Sequence, residues 1–139
     1  MSNKLLTKEQ IKNLIDLASK GKEFAYVPYS KYPVGAAILT RDGKIFTGCN
    51  IENASYGLTI CAERTAIFKA VSEGKIIIDA VAVITDSENY ASPCGACRQV
   101  IMEFGKTAQV ILADHNGDYR LVTAEDLLPG AFTSNELNY

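Results

Sequence analysis

Three cysteines and a glutamate stand in two short motifs whose residue types could support metal chemistry. The first is Cys61-Ala62-Glu63, and the second places Cys94 and Cys97 three positions apart. Zinc accepts thiolate ligands readily, and three protein ligands leave the fourth tetrahedral position open for water. The motifs together predict a catalytic zinc site. The Cys94 and Cys97 pair taken alone would also fit a redox dithiol or a zinc ribbon.

Glu63 is the candidate for moving protons at such a site. A zinc site activates water near neutral pH, but displacing an amine also needs a group that carries a proton from the water to the leaving nitrogen. Glu63 follows Cys61 by two residues at the start of a predicted helix, close enough to face the open position without coordinating. The alternative role is that of a first-turn glutamate favoured by the helix dipole.

An arginine beside the cysteines would moderate the charge of the site. Three thiolates outweigh the charge of one Zn²⁺, and a guanidinium that donates to sulfur withdraws part of the excess. Arg64 directly follows Glu63 and is predicted to take this role, with a solvated helix residue as the alternative. Arg98, directly after Cys97, is a weaker candidate for the same role.

The remaining cysteine and the single histidine are not expected to bind the metal. His115 lies in the turn signal Asp114-His115-Asn116-Gly117, far from ligand-like spacing, and is predicted to be exposed. Cys49 lies in a strand-like run and is predicted to point into the core as a small apolar residue. If Cys49 were a fourth ligand, the site would be closed, as in a non-catalytic zinc-stabilised binding module.

Length and composition limit the remaining possibilities. The chain has 139 residues, is 47% hydrophobic and carries a formal charge of −2, with neither sign concentrated in a run. We expect a single domain over residues 1 to 139 and no nucleic-acid partner. The absence of a signal pattern and of a long apolar run predicts a soluble, cytoplasmic protein with no membrane partner. In a reducing compartment the four cysteines are not expected to form disulfides.

The hydrophobic pattern predicts the elements that position these residues. A capping box at Thr7 and Gln10 begins a helix, Asp42-Gly43 favours a tight hairpin turn, and the apolar run at 76 to 85 is typical of a strand covered on both faces. Pro93 is expected in the first turn of a helix. The predicted order is α-β-β-α-β-α-β-β-α, which favours a three-layer α/β/α fold with a mixed five-stranded sheet.

The two cysteine motifs, Cys61-Ala62-Glu63 and Pro93-Cys94-Gly95-Ala96-Cys97, resemble those of the zinc-dependent cytidine deaminases. The resemblance extends over nearly the whole chain. Its further segments are Pro28-Tyr29-Ser30-Lys31, Val34-Gly35-Ala36-Ala37, Gly48-Cys49-Asn50-Ile51-Glu52-Asn53-Ala54-Ser55 and Leu127-Leu128-Pro129-Gly130-Ala131-Phe132. It implies the short, three-cysteine form of the family, which is a homotetramer whose sites borrow residues from neighbouring subunits.

The resemblance also implies which residues bind substrate. Asn50 and Glu52, with Ile51 between them, match the segment that holds the ribose hydroxyls. Tyr32 matches an aromatic residue that lies against the base, where family members often have Phe. Phe132 resembles a C-terminal aromatic residue that reaches a neighbour's site.

The activity implied by the resemblance is zinc-dependent hydrolytic deamination at C4 of cytidine and 2′-deoxycytidine in pyrimidine salvage. The products are the uridine counterparts and ammonia. The nearest rival is deamination of a modified cytosine nucleoside, such as a nucleoside antibiotic. Editing of polynucleotides is disfavoured because the chain is short and acidic.

Overall fold

The computed structural model describes residues 5 to 137, so the first and last residues of the predicted domain lie outside it. Within the described residues the predicted element order is confirmed. The elements are α1 (Lys8–Lys22), β1 (Val34–Thr40), β2 (Ile45–Cys49), α2 (Ala62–Ser72), β3 (Ile78–Thr85), α3 (Gly95–Phe104), β4 (Gln109–Ala113), β5 (Tyr119–Thr123) and α4 (Ala124–Leu127), with short 3-10 turns at Tyr56–Leu58 and Ser134–Leu137.

The five strands form one mixed sheet, as predicted, in the order β2-β1-β3-β4-β5. β3 and β4 run parallel, and the other neighbouring pairs are antiparallel. The parallel pair requires a crossover connection, which α3 provides. Every residue of β4 is buried, as expected for a strand with helices on both faces.

Alternating side chains of the sheet form two separate cores. On one face Ala37, Ala82 and Ile111 pack against α1. On the other face Ala36, Val81 and other buried residues form a second core with the buried sides of α2 and α3. Because successive residues of a strand point to opposite faces, this arrangement is the predicted three-layer α/β/α fold.

The capping box predicted at the start of α1 is confirmed, whereas the hairpin turn and the position of Pro93 differ from the prediction. The capping box of Thr7 and Gln10 is present at α1. The β1–β2 connection is a three-residue loop between Thr40 and Lys44, in which Gly43 alone supplies a positive φ of 88°. Pro93 precedes the N-cap residue of α3 and does not lie in the first turn as predicted, because the helix begins only at Gly95.

No helix among residues 5 to 137 is both long enough and apolar enough to cross a membrane.

Candidate zinc and substrate site

Cysteines occupy the N-cap positions of two helices whose beginnings converge. Cys61 precedes α2 and Cys94 precedes α3, both with extended backbone and neither using its side chain as a cap. N-cap positions are usually filled by Ser, Thr, Asp or Asn, whose oxygens bind the first-turn N–H groups. Here both sulfurs stay free of that task while lying beside the partial positive charge of a helix N-terminus.

The three predicted ligands come together. The Sγ atoms of Cys61, Cys94 and Cys97 all lie within 4.8 Å of one another, and those of Cys61 and Cys94 are 3.6 Å apart. Tetrahedral zinc with Zn–S bonds of about 2.3 Å would separate two sulfurs by about 3.8 Å. The spacing and the soft donor set of these residues therefore fit a zinc ion.

The other candidate ligands lie outside this cluster. Among the described residues the group that could hold a metal contains Cys61, Cys94 and Cys97 and no fourth member. Cys49 ends β2 half-buried, so its prediction as a core residue holds only in part. His115 is exposed in its turn, as predicted, with Nδ1 3.2 Å from the Ser87 carbonyl oxygen.

Glu63 is a buried carboxyl group in the first turn of α2. Only 4% of its surface is exposed, and burial raises its pKa to about 7. The negative Cys61 adds to this rise, whereas a hydrogen bond with Cys97 opposes it. The carboxyl group is therefore poised to exchange a proton near neutral pH, and it lies beside two of the three sulfurs.

Hydrogen bonds among the cysteines shift the pKa values of Cys61 and Cys97 in opposite directions. Hydrogen bonding to Cys97, together with Arg64 and Cys94, lowers the pKa of Cys61 to about 5. The hydrogen bond from the Cys97 thiol to Cys61, together with burial, raises the pKa of Cys97. Cys61 therefore ionises before Cys97.

Arg64 lies where the charge argument placed it. Its Nη2 atom donates to Cys61 Sγ at 3.4 Å, and this hydrogen bond raises the pKa of the guanidinium further above its ordinary value. Its Nε atom is buried and has no hydrogen-bond partner among residues 5 to 137. The contact with sulfur is observed, and the proposed effect of Arg64 on the charge of a bound zinc stays a prediction.

Arg98 does not share this role, and its prediction as a second charge-moderating arginine is wrong. Its Nε atom donates to the Pro93 carbonyl at 2.8 Å, and its two Nη atoms donate to the Leu127 carbonyl and Ser92 Oγ, each at 2.9 Å. Within the described residues, the hydrogen bonds of its guanidinium thus go to oxygens and not to sulfur. Arg98 ties the segment before Cys94 to the end of α4.

The predicted substrate segment at 50 to 52 is anchored on both sides. Ile51 forms isolated bridges with Tyr26 and with Ile60, the residue before Cys61. Asn50 Oδ1 accepts from the Val34 N–H at 2.9 Å, and Asn50 Nδ2 donates to the Tyr32 carbonyl at 2.8 Å. The backbone thereby connects this segment directly to the first cysteine.

Glu52 receives hydrogen bonds from the loop at 28 to 33. Its Oε1 atom accepts from the N–H groups of Tyr29 and Ser30 at 3.0 and 3.1 Å, and its Oε2 atom accepts from the Ser30 hydroxyl. The hydroxyl bond is the largest influence that lowers the pKa of Glu52. A cleft of about 440 Å³ lies against Glu52, Tyr29 and Tyr56.

The two predicted aromatic contacts are exposed, with 47% of Tyr32 and 57% of Phe132 accessible. Gln99 Nε2 donates to the Phe132 carbonyl at 2.8 Å and so connects the C-terminal segment to α3. Sequence reasoning missed Gln99 and Ser30 as residues that hold the site's segments. Their partners are largely backbone groups, which leave no signal in the residue types.

A family model covers the elements that carry these groups. The model for the cytidine and deoxycytidylate deaminase zinc-binding region matches residues 8 to 113, a span that includes all three cysteines and Glu63. The chain belongs to this family.

Individual proteins of known name or structure are similar to this chain over most of its length. A cytidine deaminase from Sporosarcina psychrophila is 54% identical over 130 residues, which span 93% of this chain and 96% of that protein. The crystal structure of a cytidine deaminase from Burkholderia pseudomallei aligns with a TM-score of 0.85 at 50% identity, covering 91% of this chain and all of the other. A Blasticidin-S deaminase from Bacillus cereus is 32% identical over 135 residues, 91% of this chain and 95% of that protein.

Proposed function

We propose that this chain is a zinc-dependent cytidine deaminase that hydrolyses cytidine and 2′-deoxycytidine to uridine and 2′-deoxyuridine with release of ammonia. The observation that carries the proposal is the convergence of three sulfurs beside the buried carboxyl group of Glu63. The name of the 54% identical relative supports the choice of substrate. The resident metal would be Zn²⁺, held by Cys61, Cys94 and Cys97.

When bound, zinc would supply Lewis-acid activation of a water molecule. Glu63 would do the proton transfer: it accepts a proton from the water that attacks C4 and delivers it to N3. It would then take the second proton from the hydroxyl group formed at C4 and pass it to the amino group, which leaves as ammonia as the C4 carbonyl forms. A pKa near the working pH suits a group that must both accept and donate. Burial keeps the carboxyl group from exchanging that proton freely with bulk solvent.

The substrate would be held by the segments next to the cysteines. We propose that Asn50 and Glu52, with Ile51 between them, bind the ribose, and that the Tyr32 ring lies against the base. Glu52 retains acceptor capacity for this task, because its Oε2 atom receives one hydrogen bond in the structure and a carboxylate oxygen can accept two.

Self-association as a homotetramer completes the proposal, with Phe132 contributing to a neighbouring site. Several large apolar side chains are exposed on the chain, Phe24 at 80%, Tyr56 at 77% and Leu58 at 69% among them. Tyr56 and Leu58 lie in the same 3-10 turn, and contiguous exposed apolar surface is typical of protein interfaces. The proposed setting is a cytoplasmic enzyme of pyrimidine salvage, formed by one domain and acting on free nucleosides with no nucleic-acid or membrane partner.

A modified cytosine nucleoside is the second candidate substrate, because one relative is a Blasticidin-S deaminase. Its 32% identity against 54% for the cytidine deaminase favours the plain nucleoside. Both candidate substrates would be deaminated by the same cysteines and Glu63. They differ in the group that residues 50 to 52 would have to bind.

A substrate panel with metal analysis tests the proposal. The purified protein is assayed for zinc per chain and for ammonia release from cytidine, 2′-deoxycytidine, cytosine, dCMP and blasticidin S. We expect one zinc per chain and turnover of the first two nucleosides. Turnover of blasticidin S alone would establish the second candidate, and bound zinc without turnover of any compound would indicate a non-catalytic binding module.

A further inference from the structure

We propose that Ser30 is a positioning residue that fixes the backbone of Tyr32, so that the Tyr32 ring is presented to the cytosine base. The proposal rests on the proposed function, because it concerns how the substrate is held. Ser30 is not among the metal-binding, proton-transferring or substrate-binding residues proposed above. Ser30 would act through Tyr32 and would not itself touch the reacting atoms.

Tyr32 lies outside the helices and strands, and side chains hold its backbone at both ends. The Tyr32 N–H donates to Ser30 Oγ at 3.1 Å, and the Tyr32 carbonyl accepts from Asn50 Nδ2 at 2.8 Å. An exposed loop residue would ordinarily satisfy these groups with water. Because both groups bind protein side chains instead, those side chains fix the backbone from which the Tyr32 ring projects.

The Ser30 hydroxyl group joins two of the proposed substrate contacts. Its proton is donated to Glu52 Oε2, and its oxygen accepts the Tyr32 N–H. A hydroxyl group can do both at once because it has one donor and two acceptor positions. Glu52, Ser30 and Tyr32 thus form a continuous chain of hydrogen bonds from the ribose side of the proposed site to its base side.

The residue between Ser30 and Tyr32 explains why the backbone needs this support. Lys31 has a φ of 58°, the only positive value among the described residues other than glycine. A left-handed conformation is unfavourable for a residue with a Cβ atom and persists where surrounding contacts impose it. Those contacts are the bond from the Lys31 N–H to the Val27 carbonyl at 3.0 Å and the adjoining bond from Tyr32 to Ser30.

The charge of Glu52 keeps this chain of hydrogen bonds in place at neutral pH. The Ser30 hydroxyl, followed by the backbone N–H groups of Ser30 and Tyr29, holds the pKa of Glu52 below its ordinary value. The carboxylate is therefore ionised and accepts from the hydroxyl. This orients the hydroxyl proton away from Tyr32 and leaves the oxygen free to accept the Tyr32 N–H.

A double-mutant cycle tests whether Ser30 acts through the Tyr32 ring. Ser30→Ala is combined with the wild-type Tyr32, with Tyr32→Phe and with Tyr32→Leu, and kcat and KM for cytidine are measured on the zinc-loaded enzymes. With an aromatic ring at 32, we expect Ser30→Ala to raise KM roughly three- to tenfold, the equivalent of one hydrogen bond, and to leave kcat nearly unchanged. With Leu at 32, we expect Ser30→Ala to have no further effect.

Two further variants separate positioning from general support of the fold. Ser30→Thr keeps the hydroxyl group and is expected to restore the wild-type KM. Ser72→Ala is a matched control, because Ser72 is an exposed serine whose hydroxyl donates to the Lys69 carbonyl within its own helix, and its kinetics should equal those of the wild type. Zinc per chain and the melting temperature are measured for every variant.

The proposal is overturned if Ser30→Ala raises KM equally with Leu at position 32, since Ser30 would then act through Glu52 or the loop as a whole. An unchanged KM in Ser30→Ala would overturn it as well. Absence of turnover by the wild-type enzyme would instead contradict the proposed function itself, so the two failures are distinguishable.

Discussion

The backbone of Gly48 approaches Ala62 so closely that a Cβ atom on Gly48 would lie 2.6 Å from the Ala62 carbonyl oxygen and equally close to the Ala66 backbone nitrogen. The contact joins β2 directly to the first turn of α2. That turn carries Glu63 and follows Cys61. The absence of a side chain at position 48 therefore sets the distance between the sheet and the candidate site.

We expect Gly48→Ala to destabilise the fold by about 1 to 3 kcal/mol, the usual range for overpacking. The atoms that the methyl group meets belong to backbone, so α2 must move. Denaturant unfolding measures the effect, and zinc per chain should fall with it. Gly57→Ala is the matched control, because no heavy atom in the described part of the chain lies within 4 Å of a Cβ atom at that position. Equal unfolding midpoints for the two variants would contradict the close packing.

Arg64→Gln removes the guanidinium that donates to Cys61 Sγ. We expect roughly 10- to 100-fold weaker zinc binding or activity, as is typical when an outer partner of a metal ligand is lost. Competition with a chromophoric chelator measures the affinity. Zinc affinity and turnover that both match the wild-type protein would show that Arg64 is a bystander.

The same variant has a pH signature in the metal-free protein. Because Arg64 helps lower the pKa of Cys61 to about 5, its loss should raise that pKa. Alkylation of Cys61 by iodoacetamide, followed by peptide mass spectrometry, should therefore reach its plateau at a higher pH in Arg64→Gln than in the wild type. Superimposed alkylation profiles would rule out an electrostatic role of the guanidinium at this sulfur.

Arg98→Ala is expected to act on stability more than on the metal. It removes three charged hydrogen bonds to oxygens of Ser92, Pro93 and Leu127, which we expect to cost about 2 to 3 kcal/mol in total. Denaturant unfolding measures this loss, with Arg120→Ala, at an exposed arginine of β5, as control. A variant that is as stable as that control but binds zinc weakly would contradict this structural role and would support the charge-moderating role, for which Arg98 was the weaker candidate.

The fold was predictable because its signals are local. The capping box at Thr7, the turn signal Asp42-Gly43 and the strongly apolar run at 76 to 85 are each encoded within a few residues, and they agree with one another. The cysteine cluster was predictable for a related reason. Cys94 and Cys97 share one side of a helix start, and zinc chemistry supplied the reason for Cys61 to join them.

The hydrogen bonds that hold the segments around the site could not be predicted from the sequence, because many of them involve backbone groups. Arg98 binds the carbonyl oxygens of Pro93 and Leu127, and a carbonyl oxygen is present at every residue. The left-handed backbone at Lys31 could not be predicted from residue type, because glycine and asparagine are the residues that usually indicate this conformation. Such contacts are settled only by the tertiary arrangement, and they are the ones that hold the loop at 28 to 33 and the segment before Cys94.

Glu63→Gln is the most direct test of the account, because it keeps the size of the side chain and removes its ability to exchange a proton. We expect one zinc per chain, an unchanged fold, and deamination of cytidine reduced by a factor of about 100 to 10,000. Glu103→Gln, at an exposed glutamate of α3, should deaminate cytidine as the wild type does. A zinc-loaded Glu63→Gln enzyme that deaminates cytidine at the wild-type rate would contradict the assignment of Glu63 as the proton-transferring group.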